Sequence, residues 1–215
     1  MNKKKVLVAW SGGLDSTYLI QWYLEKGYEV DVINCNFRNG GPEQMKREQA
    51  AMKKMMKGYF RNKPVTLIGT SHIAFDGYSF GALNLSQVPV WLFNLISYLR
   101  EGHTEVAIGY VMNDDAVSFL DTITGIWNSY SDICGIPLPP LVFPLVKTKK
   151  WRIWCDLHDD LRKHVTWCES PEKTLRCGYC PSCKRMIDIG AQLVPIVEKP
   201  NTMEEPTLVE EETRC

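Results

Sequence analysis

The chain has 215 residues, enough for one domain with a full core and a small appendage. Apolar residues make up 45% and charged residues 23%, the balance of a globular protein, and 25 basic side chains cancel 25 acidic ones. Zero net charge argues against direct nucleic-acid binding, and no apolar stretch approaches the roughly 18 residues of a membrane span. The apolar run after Met1-Asn2-Lys3-Lys4-Lys5 is too short for a signal-peptide core, so a cytoplasmic protein without membrane contact is expected.

In chain order, Val6 to Trp10 reads as a buried strand and Leu14 to Lys26 as a helix, with Gly27 as its stop. Glu29 to Cys35 is a second strand, and Pro42 to Lys57 a polar, Met-rich helix opened by proline. Pro64 to Ile68 is a third strand, Val88 to Arg100 a helix, and Glu105 to Tyr110 a fourth strand. Asp114 to Tyr130 reads as a helix with Gly125 as a breaking point, followed by a short fifth strand from Leu141 to Leu145. Helices over Lys149 to Lys163 and Cys183 to Gln192 complete the pattern. Strands alternating with helices predict an α/β fold: an open, parallel, five-stranded sheet with helices on both faces. Ligands of such sheets bind at the carboxyl ends of the strands, where strand order reverses, and the exit of the first strand at Ser11 is the candidate.

That exit reads Trp10-Ser11-Gly12-Gly13-Leu14-Asp15-Ser16-Thr17. Two glycines let backbone approach an anion closely, and the following helix aims free N–H groups at the same spot. The hydroxyls of Ser11, Ser16 and Thr17 add donors, while Asp15 suits a Mg²⁺ that accompanies a polyphosphate. No lysine follows the glycines, so this is not a Walker loop. The plainer reading is a strand-to-helix turn capped by Asp15 or Ser11.

Four of the eight cysteines, Cys168, Cys177, Cys180 and Cys183, crowd into one segment. Cys-Gly-Tyr-Cys-Pro-Ser-Cys holds two overlapping CxxC steps with turn residues Gly178 and Pro181, and four thiolates make a closed, structural zinc site. Arg176, Lys184 and Arg185 would offset its negative charge. A redox pair at Cys177 and Cys180 and an iron–sulfur cluster are the rival readings. The last fifteen residues, from Asn201, hold five Glu and one Arg and read as a solvated acidic tail.

The glycine corner resembles the SGGxDS loop of the ATP pyrophosphatase superfamily. Together with the C-x8-C-x2-C-x2-C set, it resembles the 7-cyano-7-deazaguanine synthase family over nearly the whole chain. The resemblance extends to Trp167-Cys168 and to Pro144-Leu145 with the lysines that follow, of which Lys149 or Lys150 starts a helix. It implies an adenine nucleotide alpha hydrolase-like, Rossmann-like fold carrying a C-terminal zinc lobe. Residues 1–164 would bind ATP, 165–195 would form the four-cysteine zinc lobe, and 196–215 the acidic tail. Residues 10–17 would bind ATP and Mg²⁺, with Asp15, Ser16 and Lys149 as the catalytic set. By charge alone such a lysine either neutralises a phosphate in the transition state or merely solvates a helix start.

The implied reaction joins 7-carboxy-7-deazaguanine to ammonia with ATP, releasing AMP and pyrophosphate, in a cytoplasmic homodimer. One stretch departs: where the family carries Pro-Gly-Arg-Asn, this chain has Val88-Pro89-Val90-Trp91-Leu92-Phe93-Asn94. Hence the alternatives of an adenylating relative with another acceptor, such as a DNA-modification or amide-forming deazaguanine enzyme, and of a tRNA sulfur transferase. The latter needs a reactive cysteine, for which Cys35 is the candidate, although a small buried hydrophobe is the simpler reading of it. Asp114 and Asp115 either serve a substrate loop or cap the next helix.

Overall fold

The computed structural model describes residues 3–37, 41–73, 88–168 and 177–190. The acidic segment 196–215 and Arg176 lie outside the described residues. Five strands form one sheet: β1 (Lys5–Ala9), β2 (Glu29–Phe37), β3 (Val65–Ile73), β4 (His103–Ala107) and β5 (Leu141–Val142). Their order is β3-β2-β1-β4-β5, and every neighbouring pair is parallel. β1 lies at the centre because Val6, Leu7 and Val8 are apolar on both faces and fully buried.

The helices are α1 (Leu14–Glu25), α2 (Gly41–Lys57), α3 (Val88–Ser97), α4 (Leu120–Cys134), α5 (Lys150–Asp156), α6 (Asp159–Arg162) and α7 (Pro181–Asp188). One face of the sheet buries Val6 and Val8 against Leu19 of α1, Met55 of α2, Ile153 of α5 and Met186 of α7. The other buries Leu7 and Ile33 against Leu92 and Leu95 of α3 and Ile123 and Trp127 of α4. Each such aliphatic side chain contributes about 1.5–3 kcal/mol by leaving water. Among the described residues no helix is long and apolar enough to cross a membrane.

Several boundaries differ from the sequence expectation. β3 runs on to Ile73, while β4 starts at His103, opposite Lys5, and ends at Ala107. β5 keeps two residues, because Pro144 has no N–H to donate and the chain turns at Phe143 and Leu145. Gly125 does not break α4, which follows a 3₁₀ turn over Asp115–Phe119. The single helix expected over 149–163 is two, α5 and α6. Gln21 of α1 causes the break: its Nε2 donates to Asp156 O at 3.0 Å, and its Oε1 accepts from His158 N at 2.9 Å. α7 starts at Pro181, with the Cys180 Sγ accepting from Cys183 N.

After β3 the chain crosses to the far side of β1 to form β4, so strand order reverses between β1 and β4. Ligand pockets of open α/β sheets form at the carboxyl ends of strands beside such a reversal.

Candidate active site and metal centre

The β1–α1 corner is held from several sides. Trp10 N donates to Ile33 O at 2.8 Å, and the buried Asn34 amide donates to Trp10 O at 2.9 Å, so β2 grips the chain one residue beyond the ladder. Gly12 then takes φ +75°, and a Cβ there would stand 3.2 Å from the Glu48 carbonyl of α2. Gly13 is the N-cap of α1, and no side chain caps it, so the N–H groups of the first turn have no partner within the helix. The hydroxyls of Ser11 and Ser16 meet at 3.1 Å, and Ser16 Oγ also accepts from Ser11 N. Gly13, not Asp15 or Ser11, is thus the N-cap, and the Ser11 hydroxyl accepts from Gly13 N at 3.3 Å.

A pocket of about 250 Å³ opens at this corner. Its walls come from the exits of β1 (Trp10, Ser11), β2 (Cys35) and β4 (Ile108, Gly109, Tyr110), and from Trp91 of α3. Asp15 reaches its edge and pairs through Oδ2 with Lys150 Nζ at 2.9 Å. Asp15 Oδ1 is buried without a hydrogen-bond partner. Burial raises the Asp15 carboxyl above the ordinary carboxylate range, and the negative charge of Asp114 adds to this, while Lys150 and Arg185 pull the other way. Asp114 also lines the pocket and accepts from Val111 N at 2.9 Å; it does not cap the following turn through its side chain. The Tyr110 hydroxyl is buried without a partner, its ring stacks on Phe143 at 5.8 Å, and burial pushes its pKa up to about 12. Gly109 permits the closest approach: a Cβ there would lie 3.1 Å from Asp15 C and from Ser16 N and Cα.

Of the residues expected to hold nucleotide, Trp10, Ser11, Gly13, Asp15 and Ser16 line the pocket. Leu14 and Thr17 are instead buried, and Thr17 Oγ1 accepts from Trp10 Nε1 at 2.9 Å. The structure brings Lys150 to Asp15 and leaves Lys149 exposed as the N-cap of α5. The reason is register: the helix starts at Lys150, so the two lysines leave the backbone in different directions. Trp91 and Tyr110 carry no motif and were not part of the expected site. The glycine–tyrosine pair after β4 was the one available signal. Cys35 does line the pocket, and burial raises its thiol pKa.

The Sγ atoms of Cys168, Cys177, Cys180 and Cys183 all lie within 4.8 Å of one another. A single ion with bonds of about 2.3 Å sets thiolates about 3.8 Å apart, and Cys177 and Cys183 stand at 3.9 Å. Backbone N–H groups already serve three of the sulfurs: Cys177 N donates to Cys168, Cys180 N to Cys177, and Cys183 N to Cys180, at 3.3–3.4 Å. Burial works to raise the Cys177 thiol, but N–H donors from Cys180 and Tyr179 outweigh it and bring it to about 7. Burial holds Cys183 up at about 12. The donor set therefore fits one thiophilic metal ion, whose binding would release the remaining protons.

No family model matches the chain. It is 28% identical over 142 residues to argininosuccinate synthase of Bacillus thuringiensis, a match spanning 62% of this chain and 35% of that protein. The argininosuccinate synthase of Bacillus cereus gives the same figures. These matches point to the ATP pyrophosphatase superfamily. The chain spans about a third of the length of the curated relatives it matches. Among solved structures it is similar to a U34-tRNA thiolase from Methanococcus maripaludis that carries a 4Fe–4S cluster. That similarity has TM-score 0.45 and 18% identity, and covers 74% of this chain and 60% of the other. NMN synthetase from Francisella tularensis gives TM-score 0.39 and 14% identity over 75% of this chain and 60% of that one. Ser11–Ser16 spells the pattern SGGxDS and lies at the strand-order reversal.

Proposed function

We propose that the chain is an AMP-forming, ATP-dependent carbon–nitrogen ligase that converts 7-carboxy-7-deazaguanine and ammonia to 7-cyano-7-deazaguanine. One observation carries the nucleotide half: the uncapped start of α1 opens on a pocket where Asp15 pairs with Lys150 and keeps one oxygen bare. N–H groups of that first turn bind the outer phosphates, and Lys150 shares their charge. Asp15 Oδ1 is free to join the coordination of the Mg²⁺ that travels with ATP.

Chemistry in this site needs no side-chain nucleophile. The acceptor carboxylate attacks the α phosphorus, the bond to the β phosphate breaks, and pyrophosphate leaves. Ammonia adds to the acyl carbon and AMP departs, giving an amide. The amide oxygen is adenylated by a second ATP, and loss of AMP and a proton leaves the nitrile. Trp91 and Tyr110 offer aromatic walls for a planar base, and Asp114 offers an acceptor for its N–H edge. Cys168, Cys177, Cys180 and Cys183 would hold zinc, which would supply structure and no catalytic step, because four thiolates leave no open position.

Chromatography tests this reading. With ATP, Mg²⁺, ammonium and 7-carboxy-7-deazaguanine, AMP and pyrophosphate are expected in step with nitrile. ADP and phosphate would overturn it. Trp91 supports a second reading, a related adenylating enzyme with another acceptor, because it lines the pocket in the stretch where the resembling family carries arginine. Turnover of ATP with a different acid but not with this base would select it. A persulfide-carrying sulfur transferase is less well served, since burial raises the Cys35 thiol pKa and disfavours the reactive thiolate.

A further inference from the structure

We propose that Thr166 is a positioning residue that couples the four-cysteine centre to the glycine corner, so that metal loading tightens nucleotide binding. The inference rests on the corner being a nucleotide site. Three consecutive residues carry it. Thr166 forms an isolated parallel bridge with Gly13, its N–H donates to Gly12 O at 3.0 Å, and its hydroxyl approaches the same oxygen at 3.3 Å. Trp167 packs on the cysteine cluster and meets Trp154 edge-on at 5.8 Å. Trp154 belongs to α5, the helix that presents Lys150 to Asp15. Cys168 is a member of the cluster, and Arg47 of α2 donates to its carbonyl at 3.4 Å.

The strap therefore touches both halves of the phosphate site, the glycine turn and the lysine-bearing helix. At its far end stands a ligand-bearing residue. Gly12 sits at φ +75° against the α2 backbone and Met52, and Thr166 is the partner of its carbonyl. A metal on Cys168 fixes the end of the strap, and the fixed strap limits the conformations of Gly12 and Gly13. A turn already ordered loses less freedom when phosphate arrives, so its affinity rises. Coupling is reciprocal, so bound nucleotide must hold the metal by the same factor. A cysteine lobe that merely decorated the surface would show neither effect.

The test uses the full chain loaded with zinc as the probe metal, and the ATP analogue AMPPNP with Mg²⁺. Zinc extraction by a chromogenic chelator is measured at equilibrium with and without saturating analogue, and analogue affinity is measured by calorimetry. The analogue is expected to protect zinc by about tenfold in chelator concentration, within the usual range of coupling between sites. Thr166→Val should keep a full equivalent of zinc, lose about threefold in analogue affinity, and lose protection by the same factor; Thr166→Ser should restore both. Identical extraction curves with bound analogue would overturn the coupling even if every variant misfolded, because that arm uses the unaltered protein. Unchanged numbers in Thr166→Val would remove Thr166 from the role. A loaded protein that binds no analogue would instead overturn the nucleotide reading on which the coupling rests.

Discussion

An aspartate–lysine pair lies near each end of β1, Asp31 of β2 with Lys5 and Asp15 of α1 with Lys150, and the two pairs are finished differently. At the amino end, buried Asp31 accepts from Lys5 Nζ at 2.9 Å and from His103 Nε2 at 3.0 Å, and His103 Nδ1 accepts from Arg100 N at 3.0 Å. That tautomer follows from the donors around the ring, and no atom of Asp31 or His103 is among the buried side-chain polar atoms left without a partner in the described residues. At the carboxyl end, Asp15 meets Lys150 with one oxygen, keeps the other bare, and faces the charge of Asp114. The same pair of residue types thus serves stability in one place and leaves capacity in the other. Incomplete satisfaction of a buried charge separates the two, because it is costly unless a ligand completes it.

The sharpest way to break this comparison is to neutralise both carboxylates. Asp15→Asn should lower turnover by about 1,000-fold while leaving the melting temperature unchanged or slightly raised, since burial already disfavours its charge. Asp31→Asn should do the reverse, costing about 2 kcal/mol in denaturant unfolding with activity within twofold. If Asp31→Asn lost activity at temperatures where it stays folded, the division between the ends would fail.

The next largest effect separates two adjacent lysines. Lys150→Met should reduce kcat/KM for ATP by about 100-fold and Lys149→Met by less than about twofold, measured as pyrophosphate release. Equal losses would mean that the ion pair to Asp15 is not the functional contact. Gly109→Ala should be milder. Its added Cβ, 3.1 Å from the Asp15 and Ser16 backbone, pushes the start of α1 aside, raising KM for ATP about tenfold and costing about 1 kcal/mol of stability.

The smallest effect belongs to the amino end. Burial depresses the His103 pKa, with Asp31 opposing, so in the native state the ring resists protonation more than in the unfolded chain. Its contribution is present above about pH 6.5 and lost as pH falls toward the depressed value. Thermal melts of wild type and His103→Gln at pH 7.5 and 5.5 should differ in their pH dependence, with the wild type losing more stability at the lower pH.

Local features were legible in the sequence. β1, the glycine corner and α1 follow from an apolar run, two glycines and helical spacing within one short stretch. The four cysteines announce themselves by spacing, and their sulfurs do converge. Tertiary decisions were not legible. Which of two lysines meets Asp15 depends on where α5 begins, and the α5–α6 break depends on Gln21, more than a hundred residues upstream. Tyr110, Trp91 and Asp114 become neighbours only through packing of β4 and α3 around the corner. Nothing in the residue type of Thr166 marks it as the partner of Gly12.

The bond between Thr166 and Gly12 spans 154 positions of chain. The glycine corner thus takes one of its supports from a residue far along the chain, next to the segment that carries the four clustered cysteines. β1 and α1 are neighbours in sequence and can form locally, whereas closing a loop of this length carries a large entropic cost. Support of the Gly12 turn therefore belongs to the non-local part of folding, which follows once residue 166 has been brought back against β1 and α1.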